Sequence, residues 1–467
     1  MSLMRITTIA CASALALVPS TALAAGQAAS DPLAPLQVPA SVPLPPQAPV
    51  VPNPVPAVSL QTAGAVASIY NQYQMKPIWF RNGAPTVAAT QIMQILRRAP
   101  LDGLASGPQL ADLIQAAVGR AASGNPADIS AAEQTISAAW VLYVQTIKQP
   151  TPGMIYAYEV LKPQGGRTDQ ILLTAVNAPS LEQYVASTAA VNPIYSRIRD
   201  AEWARMQATG TAADPRVIAN LERARSIPGR GRFVLVDSGT QRLTMYENGA
   251  PVDSMKVIVG TGELPTPLIA SVMYYVTFNP YWNVPDHLVR EKVGPKTIAG
   301  GLKYFRSMGY NVMTDWSENA GVVPYESVDW RDITAGKTHI RVRQDPGPKN
   351  FMGVLKFPFA NPQDIYLHDT PAKELFNKEQ RTLSNGCVRL EDAARFARWL
   401  LGRDPVAPSS EPEAAVQVPQ PVPIYLTYLT ARTGEQGLTF GTDVYGWDKP
   451  GAAAQVAAAY VSPVARN

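Results

Sequence analysis

The first half of the sequence carries apolar residues at helical spacing. In the clearest segment, 128–149, Ile129, Ile136, Trp140 and Tyr143 recur at intervals of seven, four and three residues, which is typical of an amphipathic helix. Weaker patterns with the same period predict helices over 86–98, 108–120, 181–189 and 194–206. We therefore predict an α-helical domain over residues 60–228, and we expect its aromatic residues to form the core.

From residue 229 onward the pattern changes to alternation of apolar and polar residues, which favours β-strands. Asn248-Gly249 separates two such segments and predicts a tight hairpin. The segments with strand character are 232–237, 241–246, 255–259, 269–277, 339–343, 365–368 and 424–430. They predict an antiparallel or mixed β domain over residues 229–450.

Residues 288–338 interrupt the alternation with glycines, cations and aromatic residues. A stretch of this length between strands is usually functional, and often it is a lid. We interpret it as a subdomain inserted into the β domain. A second proline-rich stretch, 404–423, lies inside the β domain.

The two ends of the chain differ in composition from its middle. Residues 1–24 have a basic residue, a short apolar run and the cleavage pattern Ala22-Leu23-Ala24, so they predict a secretory signal peptide. Residues 25–59 are rich in Pro, Ala and Val, a composition that favours an extended linker without a core. Residues 451–467 are expected to be a flexible tail. After signal cleavage no stable membrane insertion is expected, because no later segment reaches about 18 uncharged apolar residues.

Composition narrows the classes of function. The chain has 467 residues, of which 46% are hydrophobic and 16% charged, so a large core is expected and disorder throughout is excluded. The formal net charge is +4, and without a basic stripe interleaved with aromatic residues it predicts no nucleic-acid partner. The three histidines do not have the spacing of metal ligands, so neither a metal nor another cofactor is expected.

The segment 364–390 holds the candidate chemistry. Cys11 lies in the predicted signal peptide, which leaves Cys387 as the single cysteine of the mature protein, and His368 precedes it at the end of a predicted strand. A thiol nucleophile needs a base that takes its proton and later returns it to a leaving amine. An imidazolium at hydrogen-bond distance would lower the thiol pKa from its ordinary value of about 8.5. His368 and Cys387 are therefore a candidate base and nucleophile.

The residues around the cysteine fit this chemistry. Gly386 permits a tight turn, in which the N–H groups of residues 386 and 387 point at one oxyanion. Arg389 alternates with Cys387 across Val388, so both face the same side of a strand. This places a fixed cation beside the thiol or beside a substrate carboxylate.

His368-Asp369-Thr370-Pro371, followed by Ser384-Asn385-Gly386-Cys387-Val388-Arg389, resembles the L,D-transpeptidases of the bacterial cell wall. The segment 279–285 (NPYWNVP) resembles their large, multidomain YcbB-like branch, and 77–79 (PIW) with 102–104 (DGL) resembles its helical scaffold more loosely. The resemblance implies an α+β fold. A mainly-β catalytic domain, a mixed β-sandwich with an inserted lid subdomain, would follow an α-helical scaffold domain.

The resemblance also implies roles for single residues. Cys387 would be the nucleophile, His368 the base and then the acid, and the backbone carbonyl of Asp369 would hold the imidazole tautomer. The amides of Gly386 and Cys387 would form the oxyanion hole. Four side chains would shape the substrate site: Arg389, Ser384, Asn385 and Tyr366.

The implied reaction is peptidoglycan cross-linking, with stem peptides as partners. The Cys387 thiolate would be acylated at an L,D bond with release of D-alanine, and an amine of a neighbouring stem would then attack the thioester. In most of the family the link joins the third positions of two stems. A link from a first to a third position stays open, because Asn385 stands where relatives carry Ser or His and because 195–228 is too short for the branch's peptidoglycan-binding module. The protein would act in the periplasm of a Gram-negative bacterium, and carbapenems would acylate Cys387.

Two other functions remain open from the sequence. Water in place of the acceptor amine would give an L,D-carboxypeptidase or endopeptidase. A non-catalytic wall-binding scaffold would use the helical region as its working part. Sortases and papain-like hydrolases fit less well, because the order and spacing of His368 and Cys387 differ from theirs.

Overall fold

The computed structural model describes residues 60–317, 319–435 and 437–455. The predicted signal peptide, 1–24, and the linker, 25–59, lie outside these residues. Within the described residues, no helix has both the length and the apolar character needed to cross a membrane.

The first part of the described chain is mainly helical. It contains a small hairpin, an edge strand and these helices in chain order: α1 (Leu60–Gln72), β1 (Phe80–Arg81), β2 (Ala84–Pro85), α2 (Val87–Arg98), α3 (Gly107–Ala121), α4 (Pro126–Ile147), β3 (Ile155–Tyr156), α5 (Thr168–Val176), α6 (Leu181–Ala190), α7 (Pro193–Thr209) and α8 (Pro215–Ala224). The periodic segments of the sequence thus form α2, α3, α4, α6 and α7, and the predicted helical scaffold is confirmed.

Side chains fix where these helices begin. Asn125 caps α4 by accepting a hydrogen bond from Ala127 N at 2.9 Å, so the helix begins at Pro126, before the predicted start at 128. Trp140 and Tyr143 lie fully buried on the inner face of α4 and stack with ring centroids 5.5 Å apart. The predicted core role of the aromatic residues is therefore confirmed for this helix.

The second part of the chain is dominated by β-strands. In chain order it contains β4 (Phe233–Asp237), β5 (Arg242–Glu247), β6 (Ala250–Gly260), β7 (Ile269–Phe278), β8 (Trp282–Val284), α9 (Asp286–Leu288), α10 (Gly294–Ser307), β9 (Tyr310–Met313), β10 (Val322–Val323), α11 (Trp330–Thr334), β11 (Arg341–Gln344), β12 (Leu355–Phe357), β13 (Leu367–His368), β14 (Thr382–Ser384), β15 (Val388–Leu390), α12 (Ala393–Leu401), β16 (Ala414–Thr427), β17 (Ala431–Gly434) and β18 (Gly437–Phe440).

The main sheet curls until its ends meet. Its strand order is β12-β13-β15-β6-β5-β4-β16-β7-β3, and β12 also pairs with β7. The pairs β13–β15, β16–β4 and β3–β7 are parallel, whereas β4–β5, β5–β6 and β16–β7 are antiparallel. The apolar positions of these strands, together with one face of α12, form a continuous core. The predicted mixed, mainly-β architecture is confirmed.

The proline-rich stretch 404–423 is partly a strand. Its second half is the start of β16, which pairs with β7 from Ala414 to Leu426 with a register shift between Gln417 and Val422. β16 pairs with β4 only from Ile424 onward. Pro419 and Pro421 therefore lie at the irregularity, where a missing N–H breaks no regular ladder.

The inserted subdomain is larger than predicted. It spans residues 282–344, because β8 and β11 pair with each other and, with β9 and β10, form a separate four-stranded sheet. The subdomain has its own apolar core, centred on Phe305, Trp330 and Val342. It leaves and re-enters the catalytic domain through two neighbouring antiparallel strands.

Side chains of helix α8 form hydrogen bonds and an ion pair with residues in the segment 428–448. The Arg223 side chain donates to the Tyr428 carbonyl at 2.6 Å and pairs with the Asp448 carboxylate at 2.9 Å. Asn220 donates to Thr430 Oγ1 at 2.9 Å. The first residues of the expected flexible tail, 451–455, contain a helical turn in which Ala453 is buried, and the remainder of that tail lies outside the described residues.

Candidate active site

Two short parallel strands present the candidate catalytic residues. In the β13–β15 pair, Leu367 lies opposite Val388 and His368 opposite Arg389. Leu367 and Val388 are fully buried in the core. Because successive side chains of a strand alternate in direction and paired residues share a face, Tyr366, His368, Cys387 and Arg389 project from the opposite face.

Strand β12 extends this arrangement on the other side of β13. Lys356 is the antiparallel partner of His368. Lys356, His368 and Arg389 therefore form a row across three neighbouring strands, which we call the catalytic row. The sequence analysis placed His368 and Arg389 near the cysteine but did not find Lys356, because only the pairing of β12 brings it there.

The Cys387 thiol is half-buried and has a backbone carbonyl as its hydrogen-bond acceptor. Its Sγ donates to the backbone carbonyl of Asp364 at 3.7 Å. Burial raises the pKa of the thiol to about 11, against the opposing effects of the Tyr366 backbone N–H, the Tyr366 hydroxyl and the Arg389 guanidinium. A thiol with this pKa is protonated at neutral pH.

Asp364 is a functional position that sequence reasoning missed. Its φ is +51°, in the left-handed region that residues other than glycine seldom adopt. This backbone conformation turns the Asp364 carbonyl to accept from the thiol. Backbone outliers of this kind cluster at active sites, but a lone Asp in a loop carries no signal of it in the sequence.

His368 is buried with 6% of its surface exposed. Burial lowers its pKa to about 3, together with the cations of Arg389 and Lys356 and against the backbone and carboxylate of Asp369. Within the described residues His368 Nδ1 has no hydrogen-bond partner. A pKa this low keeps the imidazole neutral at neutral pH.

Asp369 has a structural role through its carboxylate. One oxygen accepts from Val354 N at 3.1 Å and the other from Lys373 Nζ at 2.7 Å. Lys373 Nζ also donates to the Glu391 carbonyl at 2.9 Å, next to the end of β15. The carboxylate thus joins the strands that carry His368 and Arg389, while the backbone of Asp369 raises the pKa of the imidazole.

We expect Gly353→Ala to destabilise this side of the site. Gly353 has φ +63°, and a Cβ there would lie 2.3 Å from the Asp369 carboxylate. Backbone strain and the clash together should cost about 2–4 kcal/mol of the free energy of unfolding, measured by denaturant titration. Gly301→Ala is the matched control, because Gly301 has φ +60° but open space around it. Equal losses in the two variants would show that the contact with Asp369 does not matter.

The loop before Cys387 is held by Ser384, a residue that the sequence analysis expected in the substrate site. Ser384 is 2% exposed. Its hydroxyl donates to the Cys387 carbonyl at 2.5 Å and accepts from Gly386 N at 3.3 Å. Ser384 therefore shapes the turn and presents no free hydroxyl to a substrate, whereas Asn385 is exposed.

Gly386 is required by the turn. Its φ is +111°, and a Cβ there would lie 3.1 Å from Ile365. The Gly386 carbonyl accepts from Thr266 Oγ1 at 2.7 Å, and the same hydroxyl accepts from Gly260 N at 2.9 Å. Thr266, buried at 1% exposure, is therefore a positioning residue for this turn.

The Arg389 guanidinium has no acidic side chain as a partner within the described residues. It is half-buried, and within the described residues it forms no ion pair and its Nε has no hydrogen-bond partner. Burial lowers its pKa, and the neighbouring Cys387 opposes this effect. A guanidinium held in this way is suited to bind a carboxylate. The other two histidines lie in the inserted subdomain, where His339 pairs with Asp286 at 3.0 Å.

We expect slow alkylation of Cys387 in the free enzyme. A raised pKa means less thiolate, so the rate with iodoacetamide at about pH 7.5 should be roughly 100-fold below that of a free cysteine. The rate should rise about tenfold per pH unit until the pH approaches the thiol pKa. Mass spectrometry of the peptide containing Cys387 gives the rate. Tyr366→Phe, which removes a hydroxyl that lowers this pKa, should be slower still; fast alkylation with a plateau near neutral pH would contradict the prediction.

Comparisons with known proteins match two parts of this chain. A family model described as the YkuD L,D-transpeptidase catalytic domain matches residues 231–407, and one described as a Scaffold domain matches residues 64–201. A Haemophilus influenzae protein, whose name proposes it to be an L,D-transpeptidase, is 27% identical over 401 residues, covering 84% of this chain and 79% of its own.

Two solved structures of low identity also match in part. The avibactam carbamoyl enzyme of Ldtfm is 9% identical, with 43% of this chain and 50% of that chain covered and a TM-score of 0.21. An L,D-transpeptidase from Mycobacterium smegmatis is 14% identical, with coverage of 43% and 59% and a TM-score of 0.20. The matched part spans only half to three fifths of these two chains.

Proposed function

We propose a function from one premise: this chain is an acyltransferase in which the catalytic domain of the YkuD L,D-transpeptidases follows a Scaffold domain, the plan of their large multidomain branch. In this proposal Cys387 forms a thioester with a peptidoglycan stem peptide. The observation that carries the proposal is the single face shared by Tyr366, His368, Cys387 and Arg389. One nucleophile, one neutral base and one unpaired cation meet there.

Acylation begins with a neutral pair. His368, whose pKa is about 3, accepts the proton when the thiol turns from the Asp364 carbonyl toward the imidazole. The sulfur attacks the carbonyl carbon of the L-centre at an L,D bond, and the amides of Cys387 and Gly386 stabilise the oxyanion. Because Ser384 Oγ lies 3.3 Å from Gly386 N, that amide must give up a long hydrogen bond to do so. The imidazolium then protonates the leaving amine, and D-alanine departs.

Deacylation completes the cross-link. An amine of a neighbouring stem attacks the thioester carbonyl, His368 takes its proton, and the thiol is restored. The inserted subdomain lies in the chain between β7 and β12, which pair with each other, and it would exclude water, which favours aminolysis over hydrolysis. We propose a link between the third positions of two stems, with the donor carboxylate bound to Arg389. Asn385, exposed beside Cys387, would contact the acceptor.

The predicted signal peptide places this reaction in the periplasm. Residues 25–59 would then link the exported scaffold domain to the cleaved N-terminus. Within this proposal carbapenems act as acyl donors that stop at the Cys387 thioester, because their ring-opened product offers no amine leaving group that departs.

Product analysis on defined wall fragments tests the proposal. The purified mature enzyme is incubated with tetrapeptide and pentapeptide stems, and the products are sequenced by mass spectrometry. Release of D-alanine together with dimers linked through third positions is the expected result. Dimers linked from a first position would change the assigned donor position, and loss of D-alanine without dimers would identify a carboxypeptidase. No consumption of any stem would refute the proposal.

A further inference from the structure

Three tyrosines form an exposed aromatic surface that takes no part in the mechanism above. Tyr274 and Tyr275 on β7 keep 36% and 48% of their surface exposed, and their ring centroids are 6.5 Å apart. Tyr158, from the region that matches the Scaffold model, adds a third ring at 6.3 Å from that of Tyr274. We call these three side chains the tyrosine platform.

An irregularity in β7 turns two successive tyrosines toward solvent. Met273 and Val276 are both fully buried in the core of the sheet, although strict alternation would place them on opposite faces. The isolated bridge between Met273 and Phe359 is also out of register, by one residue, with the pairing of β12 and β7, as expected for a bulge. The two residues between the buried positions therefore both face outward, and a contiguous exposed aromatic surface of this kind marks an interaction site.

The platform lies on the same face of the sheet as the nucleophile. Strands β7, β12, β13 and β15 are successive neighbours, and Thr277 continues the catalytic row as the partner of Lys356. Two residues before this row, Tyr275 on β7 and Cys387 just ahead of β15 lie at about the same level of the sheet. Three strand spacings of about 4.8 Å separate them, or about 14 Å along the sheet.

The surroundings of the platform along the chain are uncharged. Residues 264–285, which include β7, contain no charged side chain. Next to the third tyrosine, Glu159 pairs with Lys162 at 3.8 Å. Gln417, the exposed strand partner of Tyr275, adds a neutral amide. A neutral ligand with an apolar face and polar edges matches this surface, whereas a carboxylate or an ammonium meets no opposite charge among the platform side chains.

A sugar ring has these properties. The C–H groups on one face of a pyranose pack against an aromatic ring, whose face carries partial negative charge, and its hydroxyl and acetamido groups bond to phenol and amide groups. The sugar that carries a stem is uncharged, because its carboxyl group forms the bond to the first residue of the stem. Resting on the proposed function, we infer that the tyrosine platform binds this N-acetyl sugar of the donor strand while the stem is acylating Cys387.

The length of the stem agrees with this placement. Three residues and the acid that links them to the sugar lie between an acyl carbon at the third position and the sugar ring. An extended chain spans about 3.3–3.6 Å per residue, so the sugar of an extended stem is about 10–14 Å from the thiol. That span reaches the platform from Cys387.

Stems with and without their sugar test this inference. We expect kcat/KM for acylation to be about fivefold to tenfold higher with the disaccharide tetrapeptide than with the free tetrapeptide. The difference should lie mainly in KM, because a sugar far from the reacting bond is bound equally in the ground state and the transition state. In saturation-transfer NMR, irradiation of the aromatic protons of the enzyme should reach the ring C–H protons of the stem-free disaccharide.

Variants of one tyrosine separate a sugar contact from a role in the fold. Tyr275→Ala should lower kcat/KM for the disaccharide tetrapeptide to about the value for the free tetrapeptide, whose own value should change less than about twofold. Tyr275→Phe keeps the ring and should retain most of the preference. Tyr73→Ala is the matched control, because Tyr73 is 45% exposed and follows α1 in the scaffold; both values should equal those of the wild type.

The readout is thioester formation, followed by mass spectrometry of the intact enzyme. Equal kcat/KM for the two substrates in the wild type would overturn the inference while leaving the proposed function standing. An equal loss with both substrates in Tyr275→Ala would do the same, since it would assign the ring to the peptide or to the fold. Absence of a thioester with either substrate would overturn the proposed function. The NMR measurement then decides the sugar contact separately, because a missing transfer, or one unchanged in Tyr275→Ala, would exclude it.

Discussion

Cys387→Ala should form no thioester and should lose turnover by at least about 1,000-fold, because the variant keeps the substrate site but has no atom that can carry the acyl group. Cys387 is the one cysteine in the described residues, and no other side chain on the face of the catalytic row is a nucleophile of comparable strength. Cross-linking of defined stems gives the rate, and mass spectrometry of the intact enzyme detects the missing adduct.

The alanine variant is also a fair test of binding, since it removes a half-buried thiol and no charge. Its free energy of unfolding should stay within about 1 kcal/mol of the wild-type value. Binding of a non-hydrolysed stem, measured by calorimetry, should be retained. Residual cross-linking by Cys387→Ala at more than a few per cent of the wild-type rate would contradict the assignment of the nucleophile.

His368→Gln should reduce both acylation and aminolysis by about 100-fold to 10,000-fold, the range of general acid–base catalysis. Glutamine keeps much of the volume of the imidazole but cannot take or return a proton. His339→Gln is the matched control, because His339 lies in the inserted subdomain and pairs with Asp286; its rate should match the wild type.

The pH dependence of the wild type provides a second check on His368. A lowered pKa means that the imidazole remains unprotonated, and so able to act as a base, well below its ordinary value near 6.5. The rate of acylation should therefore show no acid limb near pH 6.5, and such a limb should first appear at clearly lower pH. An acid limb at about the ordinary histidine pKa would mean that the imidazole of the working enzyme is far more exposed than in this structure.

Much of the fold was accessible from the sequence because local patterns and the final structure agree. The alternation around Asn248-Gly249 gave the β5–β6 hairpin, and the apolar spacing within 128–149 gave α4 to within two residues at each end. Helix α12 was missed although Asp392 caps it and Phe396 and Leu400 lie one turn apart on its buried face. That segment lies inside a β domain, where a short helix competes with strand assignments.

From the sequence, residues of the candidate site could be placed together only where they lie on the same strand. Alternation along 387–389 placed Cys387 and Arg389 on one face, and the same argument placed Tyr366 with His368. That β13 and β15 are parallel partners, and that β12 adds Lys356, depends on long-range pairing that no local pattern encodes. The protonation states were also out of reach, since burial by distant segments decides them.

The inserted subdomain shows the same limit. Its interruption of the β pattern was visible over 288–338, but the flanking strands β8 and β11 resemble those of the main domain in composition. Only their pairing with each other assigns them to the insertion. A boundary set by partner choice cannot be read from either strand alone.

The position of β16 has a consequence for how the protein is made and how it can be shortened. This strand, Ala414–Thr427, lies between β4 and β7 in the middle of the curled sheet, yet every other strand of that sheet precedes it in the chain. The catalytic sheet therefore cannot close during synthesis until β16 has emerged, and the earlier strands keep open edges until then. For the same reason a fragment cut at residue 407, where the match to the catalytic family model stops, would lack an interior strand and should accumulate as aggregate.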